Sequence, residues 1–299
     1  MERRRYLRTL GVGATLSVAG CVDAPPVASS ESPDRLTVAA GTTTADSGLL
    51  DRITPAFEER FGTRVDAVIR GTGGALRTAR DGDCDLVLVH ARPLEDRFLE
   101  TGAGVNRRAV MVNDFLLVGP PEDPAGVTGH DPVSAFQAIA AASTPFFSRG
   151  DESGTHVRER TIWAEAGVDP GGEWYSETGQ GMGQTLAMAA RTPGYTLTDR
   201  GSFLNAATDG SLVAHVDQGI DAPPSLLRNE YAAIPVNPAR HDVAYTLAMA
   251  YVGYLTGPGR ARIGSFSIDG QRAFRPIAYG DRPSFRQYVP RDWEGESFE

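Results

Sequence analysis

The sequence contains no lysine. Its 29 basic residues are all arginine, set against 38 aspartates and glutamates, and the formal net charge is −9. Nucleic-acid binding needs a basic surface, so this balance argues against that class of partner. Cysteine is nearly absent too: Cys21 and Cys84 are the whole complement, too few for a disulfide framework. Cys84, in the run Asp83-Cys84-Asp85-Leu86-Val87, reads as a small buried hydrophobe. The five histidines show no metal-type spacing. No GxGxxG fingerprint is present, since Gly71-Thr72-Gly73-Gly74 stops short of one, and no GxSxG elbow, which removes the usual dinucleotide-binding and hydrolase signatures. A bilayer-spanning helix takes roughly 20 apolar residues, and the apolar stretch near the N-terminus, Leu10 to Ala19, is too short for one.

What is present begins with an address. Arg3, Arg4, Tyr6, Leu7 and Arg8 follow the twin-arginine export pattern, and Val18-Ala19-Gly20-Cys21 resembles a lipobox. The expectation is a signal segment over 1–20, removed to leave lipidated Cys21, with 21–35 as a Pro/Ser-rich tether. Residues 1–20 carry a net +3, so the mature chain would stand near −12. The protein would then sit outside the cytoplasm, anchored to the outer face of the membrane through Cys21. Cytosolic cofactors such as ATP or NAD are out of reach there; solute capture, wall-directed hydrolysis and adhesion remain.

From residue 36 onward, short apolar runs alternate with amphipathic segments. Strands are expected at 36–40, 65–69, 86–89 and 115–118, with helices at 46–61, 73–79 and 94–99 between them. Leu86-Val87-Leu88-Val89 lacks polar alternation, as a strand covered on both faces does. This β-α-β order predicts a parallel sheet with helices on both faces. The pattern restarts after 119–132, with helices at 133–142, 153–166 and 182–190, and strands at 145–147, 195–197 and 212–216. A strand at 231–236 and a long helix at 243–255 follow. The expected class is α/β with two doubly wound lobes and a hinge. Residues 36–118 form the first part of lobe 1, 119–230 lobe 2, and 231–279 a return to lobe 1. Residues 280–299 form a C-terminal extension with little structure of its own.

Three segments rich in Gly, Ser, Thr and Arg fall where strands give way to helices: Gly41-Thr42-Thr43-Thr44, Gly71-Thr72-Gly73-Gly74, and Ser148 through His156. Ligands of doubly wound folds bind outside the carboxyl ends of the strands. Helix starts there offer unpaired N–H groups and partial positive charge. Ser and Thr add hydroxyl donors, and Arg149 a fork that fits oxygen anions. Such a set suits a dianion and lacks the carboxylates a metal cation wants. Against this stands the ordinary use of Ser, Thr and Gly at such junctions as caps and turns. Ser153 and His156 also raise an exported serine hydrolase, and Arg149-Gly150-Asp151 an adhesion module.

In order along the chain, further stretches accompany these: Thr42-Thr43-Thr44 with Asp46-Ser47-Gly48-Leu49-Leu50, Asp85 through Arg92, Gly104 through Arg108, Asn113-Asp114-Phe115, Trp174-Tyr175, Glu177 through Gly183, and Tyr195 through Gly201. Together they resemble the tungstate-binding proteins of tungstate ABC importers, a branch of the type 2 periplasmic binding proteins, over roughly residues 36–276. The resemblance implies two α/β lobes joined by crossover strands near 113–119 and 231–237. It implies anion contacts from Thr43, Thr44, Thr72, Ser148, Arg149, Ser153, Gly154 and Thr198, with Arg149 supplying the main charge. It further implies a monomeric, non-enzymatic receptor without cofactor or resident metal, which passes tungstate or molybdate to a permease driven by a cytoplasmic ATPase. Sulfate and phosphate are the other oxyanions; phosphate, protonated near neutral pH, would want a carboxylate such as Asp151 or Glu152. Ala45 departs from the family pattern, where a bulkier residue is common. The lysine-free acidic composition resembles that of proteins from salt-loving archaea, although a GC-rich genome also favours arginine.

Overall fold

The computed structural model describes residues 35–151, 153–206, 209–277 and 288–292. The expected signal segment, the lipidation site Cys21, the tether up to residue 34, Glu152 and most of 280–299 lie outside the described residues.

The chain opens with β1 (Arg35–Gly41), α1 (Thr42–Asp46), α2 (Leu49–Phe61), β2 (Arg64–Arg70), α3 (Thr72–Asp81), β3 (Leu86–Val89) and α4 (Arg92–Glu100). It continues through β4 (Arg108–Gly119), α5 (Pro132–Ala142), β5 (Phe146–Ser148), α6 (Gly154–Glu165), β6 (Tyr175–Glu177) and α7 (Met182–Arg191). It then runs through β7 (Thr196–Asp199), α8 (Arg200–Asn205), β8 (Val213–Val216), β9 (Arg228–Pro235) and α9 (Tyr245–Thr256). β1 pairs in parallel with β2 and β3. β9 enters antiparallel beside β3 and joins it to β4.

The missing alternation of β3 has a direct cause. Leu86 and Leu88 join a core with Phe57 of α2 and Tyr251 of α9. Val87 and Val89 join a separate core with Leu76 of α3 and Phe98 of α4. Each face of the strand is buried under its own helices, so neither can be polar.

β4 carries the change from one lobe to the other. Its first half, Arg108 to Asp114, pairs with β9; its second half pairs with β7 and β8. Val110 and Met111 belong to the first lobe's core. Phe115 and Leu117 belong to a core built around Phe136, Phe146 and Trp163, and Leu116 and Val118 to one with Met182 and Leu186 of α7. Each lobe therefore has two apolar layers, one per sheet face. The polar pair Asn113-Asp114 sits at the changeover, and Arg200 of α8 grips Asp114 with two bonds of 2.6 Å.

Three details differ from the sequence reading. The strand expected at 115–118 is the second half of a strand of 12 residues. The return crossing expected at 231–237 lies earlier: Leu227 packs in the second lobe's core and Tyr231 in the first's, so the chain crosses at 228–230. The helix expected over 46–61 is broken at Gly48, whose φ of 75° is left-handed, leaving α1 separate. In the C-terminal extension, Arg291 Nε donates to Asp96 Oδ2 at 2.9 Å, and the Arg108 guanidinium lies 4.1 Å from the Tyr288 ring centre, which returns residues 288–292 to the first lobe.

Candidate anion-binding site

Four helices start where strands end at the seam between the lobes: α1 after Gly41 and α3 after Gly71 in the first lobe, α6 after Ser153 and α8 after Asp199 in the second. The first N–H groups of a helix have no partner within it. The caps of α1 and α3 are glycines without any side-chain bond to these groups. Glycine also sets how near the halves come. A Cβ at position 154 would lie 2.5 Å from His90 Cε1, closer than carbon atoms approach, so the start of α6 meets the end of β3 at a distance that residue 154 allows only as glycine.

Arg149, 1% exposed, stands at the centre. Its Nη2 donates to Thr42 Oγ1 across the seam at 3.2 Å and to the Asp151 carboxylate on its own side. Its Nε and Nη1 find no hydrogen-bond partner among the described residues, nor do the buried hydroxyls of Thr44, Thr72 and Thr155. An unpaired buried donor costs about 1–3 kcal/mol, more when charged. These five donors, two of them on one guanidinium, make a site suited to an oxygen-rich anion, whose acceptors would satisfy them.

Beside the donors runs a directed chain of hydrogen bonds. His90 Nδ1 lies 2.8 Å from Asn229 Oδ1; since that oxygen can only accept, Nδ1 carries the proton and Nε2 accepts. Thr43 Oγ1, 2.8 Å from Nε2, is therefore the donor. Asn229 Nδ2 donates to Asn113 Oδ1 at 2.7 Å, and Asn113 Nδ2 to Asp199 Oδ1 at 3.1 Å. The chain leads from the first lobe, across both crossover strands, to the second. Burial drives the His90 pKa down to about 4, so the ring is neutral and the direction holds at neutral pH. Burial also raises the pKa of Asp199, which the Asn113 and Ser202 bonds and the Arg149 charge pull back down.

The expected residues thus meet at one seam in different roles. Thr44, Thr72, Ser148 and Arg149 carry buried side-chain donors without a hydrogen-bond partner among the described residues. Thr43 spends its hydroxyl proton on His90, which leaves its backbone N–H at the start of α1 for the contact expected of it. Ser153 caps α6, its Oγ accepting from His156 N at 3.1 Å, the ordinary role of serine at such a junction. Gly154 provides the close approach. Ser148 is buried at the end of β5 beside the Glu159 carboxyl, whose pKa burial pushes up to about 7. Thr198 donates to Asp199 O at 3.2 Å and holds the strand end in place.

Thr42, Thr155, Asn113, Asn229 and Asp199 were not selected by sequence reasoning. Thr42 and Thr155 stand inside motifs already singled out, so a helix-start rule applied to every hydroxyl would have found them. Asn113, Asn229 and Asp199 meet only through the tertiary pairing of β4 with β9 and β7. His90, just past the buried β3, is structural, and it also orients Thr43.

The hydrolase geometry is not formed. Ser153 Oγ meets the His156 backbone rather than its ring, and His156 Nε2 lies 3.8 Å from Glu177. Among the described residues no group of three or more His, Cys, Asp or Glu is placed to hold a metal ion.

Residues 27–258 match a PBP superfamily domain. A Haloferax volcanii protein, provisionally named as an ABC transporter anion-binding protein, is 47% identical over 99% of this chain and 92% of its own length. The tungstate-binding protein TupA of Peptoclostridium acidaminophilum is 37% identical over 81% of this chain and 85% of its own. The crystal structure of the tungstate ABC transporter from Geobacter sulfurreducens matches with a TM-score of 0.71 at 44% identity, covering 78% of this chain and 99% of that one. The chain belongs to the PBP superfamily, in the group that contains the tungstate-binding proteins.

Proposed function

We propose that the chain is the extracytoplasmic receptor of an ABC importer, which binds tungstate between its lobes and delivers it to the membrane permease. One observation carries this reading: the buried, partnerless donors of Arg149, Thr44, Thr72 and Thr155 at the seam of the two lobes. They call for a ligand that only accepts hydrogen bonds and bears negative charge. Phosphate would need an acceptor for its own proton. Asp151 already spends one oxygen on Arg149 and the other on Ser153 N at 3.1 Å, so phosphate would have to reach the buried, partnerless Asp199 Oδ2 instead. A fully deprotonated tetrahedral dianion fits better. Within that class, tungstate is favoured over molybdate and sulfate by the named relatives.

In this reading Thr44, Thr72 and Arg149 bind the anion by side chain, Thr43 and Gly154 by backbone, and Ser148, Ser153 and Thr198 frame the pocket. The receptor acts as a monomer, catalyses nothing, needs no cofactor, and is held to the outer membrane face by lipid on Cys21 after twin-arginine export. The test is thermal unfolding of the full chain with tungstate, molybdate, sulfate and phosphate in parallel. A ligand at about 100 times its dissociation constant stabilises by about 2.7 kcal/mol. A shift at micromolar tungstate, absent with phosphate, is expected; no shift with any of the four refutes the reading.

A further inference from the structure

Directly outside the anion site lies a cavity of about 630 Å³ between the lobes, within the range of roughly 300–1,000 Å³ typical of ligand sites. Three helices line it, each with one face. α3 gives Gly73, Leu76, Arg77 and Arg80; α4 gives Leu94, Arg97 and Phe98, with Thr101 just past its end; α6 gives His156, Val157 and Arg160. Two of these helices begin at the anion site itself: Thr72 is the first residue of α3 and Gly154 that of α6. The cavity therefore continues the seam outward from the partnerless donors.

Its charge is unlike that of the whole chain. Among the described residues four arginines line it and no carboxylate does, on a protein of formal net charge −9. Three described carboxylates stand around it. Arg80 meets Asp81 at 3.5 Å, Arg160 meets Asp169 at 3.6 Å, and His156 meets Glu177 at 3.8 Å. Asp169 is 98% exposed and Asp81 58%, so solvent screens these two pairs heavily and most of the charge of Arg80 and Arg160 stays on the cavity. Arg97 has no carboxylate partner among the described residues. The apolar floor of Leu76, Leu94, Phe98 and Val157 lowers the local dielectric and concentrates that charge.

We infer that this cavity is an outer anion subsite, a cationic vestibule in which Arg80, Arg97 and Arg160 capture the incoming oxyanion before it passes along the starts of α3 and α6 to Arg149. The inference rests on the receptor reading above. A dianion approaching an acidic protein is repelled over most of its surface, and the vestibule offers it a local well of opposite sign at the cleft mouth. The subsite acts on arrival and leaves the final bound state to the inner donors.

The test is stopped-flow association of tungstate with the full chain, at the lowest salt at which circular dichroism shows the wild type folded. R80Q/R97Q/R160Q should lower the association rate constant at least about tenfold and leave dissociation within twofold. R80K/R97K/R160K, which keeps the charge, should retain the wild-type rate. R97Q alone, the mildest change, should give a partial loss. The wild-type advantage should shrink as salt rises, since the screening length falls to about 3 Å at 1 M. Wild-type protein that binds tungstate with the same association rate as the glutamine variant overturns the vestibule and leaves the receptor intact. Wild-type protein that does not bind tungstate at all overturns the receptor reading, and the vestibule with it.

Discussion

The first lobe meets the seam with Thr44 and Thr72, neutral hydroxyls on helices capped by glycine, while the second brings the Arg149 guanidinium and Thr155 on a helix capped by its own Ser153. The contrast lies in what each half loses when left alone. A neutral hydroxyl buried without a partner costs little beside a guanidinium with two idle nitrogens. The second lobe already softens its cost with Asp151, and borrows Thr42 from the first. The charged lobe therefore sets how tightly an anion is held. The neutral lobe, whose donors reach the anion once the seam is closed, sets whether closure is worthwhile.

Replacing the charge should break this comparison most severely. Arg149→Ala is expected to weaken tungstate binding by about 2–5 kcal/mol, read by isothermal titration calorimetry. If Thr72→Val costs as much as Arg149→Ala, the division of labour between the lobes is wrong.

The lobes also titrate in opposite senses. His90 in the first has its pKa lowered by burial from 6.5 to about 4. Between those values the unfolded chain takes a proton the fold refuses, so this contribution to stability is lost as pH falls. Glu159 in the second has its pKa raised by burial from 4.5 to about 7. There the unfolded chain releases a proton the fold retains, so its contribution is lost as pH rises through that window. At 1.36 kcal/mol per unit each is on the order of 3 kcal/mol, and between pH 4.5 and 6.5 they oppose each other. Relative to wild type, Glu159→Gln should make stability climb more steeply with pH over that range, and His90→Gln should make it fall. Urea melts at several pH values decide this, and three parallel curves would contradict it.

The smallest effects separate neighbouring threonines. Thr44→Val removes a partnerless hydroxyl and should leave the anion-free protein as stable as wild type or up to about 1 kcal/mol more so, while weakening tungstate binding by about 1–3 kcal/mol. Thr43→Val strips His90 of its donor and should destabilise the anion-free protein by about 1 kcal/mol. Equal melting temperatures for the two variants would remove the distinction between donor and relay.

Much of this was legible in the residues. The unalternating β3 announced a strand covered on both faces, and the three Gly/Ser/Thr junctions announced where helix starts would gather. Arg149 declared itself as the charge among hydroxyls. Hidden were features whose signal is tertiary. The first half of β4 is bounded by polar Arg107-Arg108 and Asn113-Asp114, and no strand is expected over 108–112 until pairing with β9 explains it. α1 and α8, with 5 and 6 residues, are too short to show a helical period. The relay joins residues 43, 90, 229, 113 and 199, which no local pattern connects. Sequence also shows which hydroxyls exist without showing which have spent their protons, so Thr43 and Thr44 look alike until His90 is placed.

The central claim is that one anion is held by donors from both lobes at once. Crystals of the full chain grown with tungstate, measured at the tungsten absorption edge, test it most directly. The account predicts a single strong anomalous peak at the seam, with oxygens in hydrogen-bond reach of Arg149 and Thr155 on one side and Thr44 and Thr72 on the other. A peak contacting one lobe alone, or none near Arg149, would contradict it.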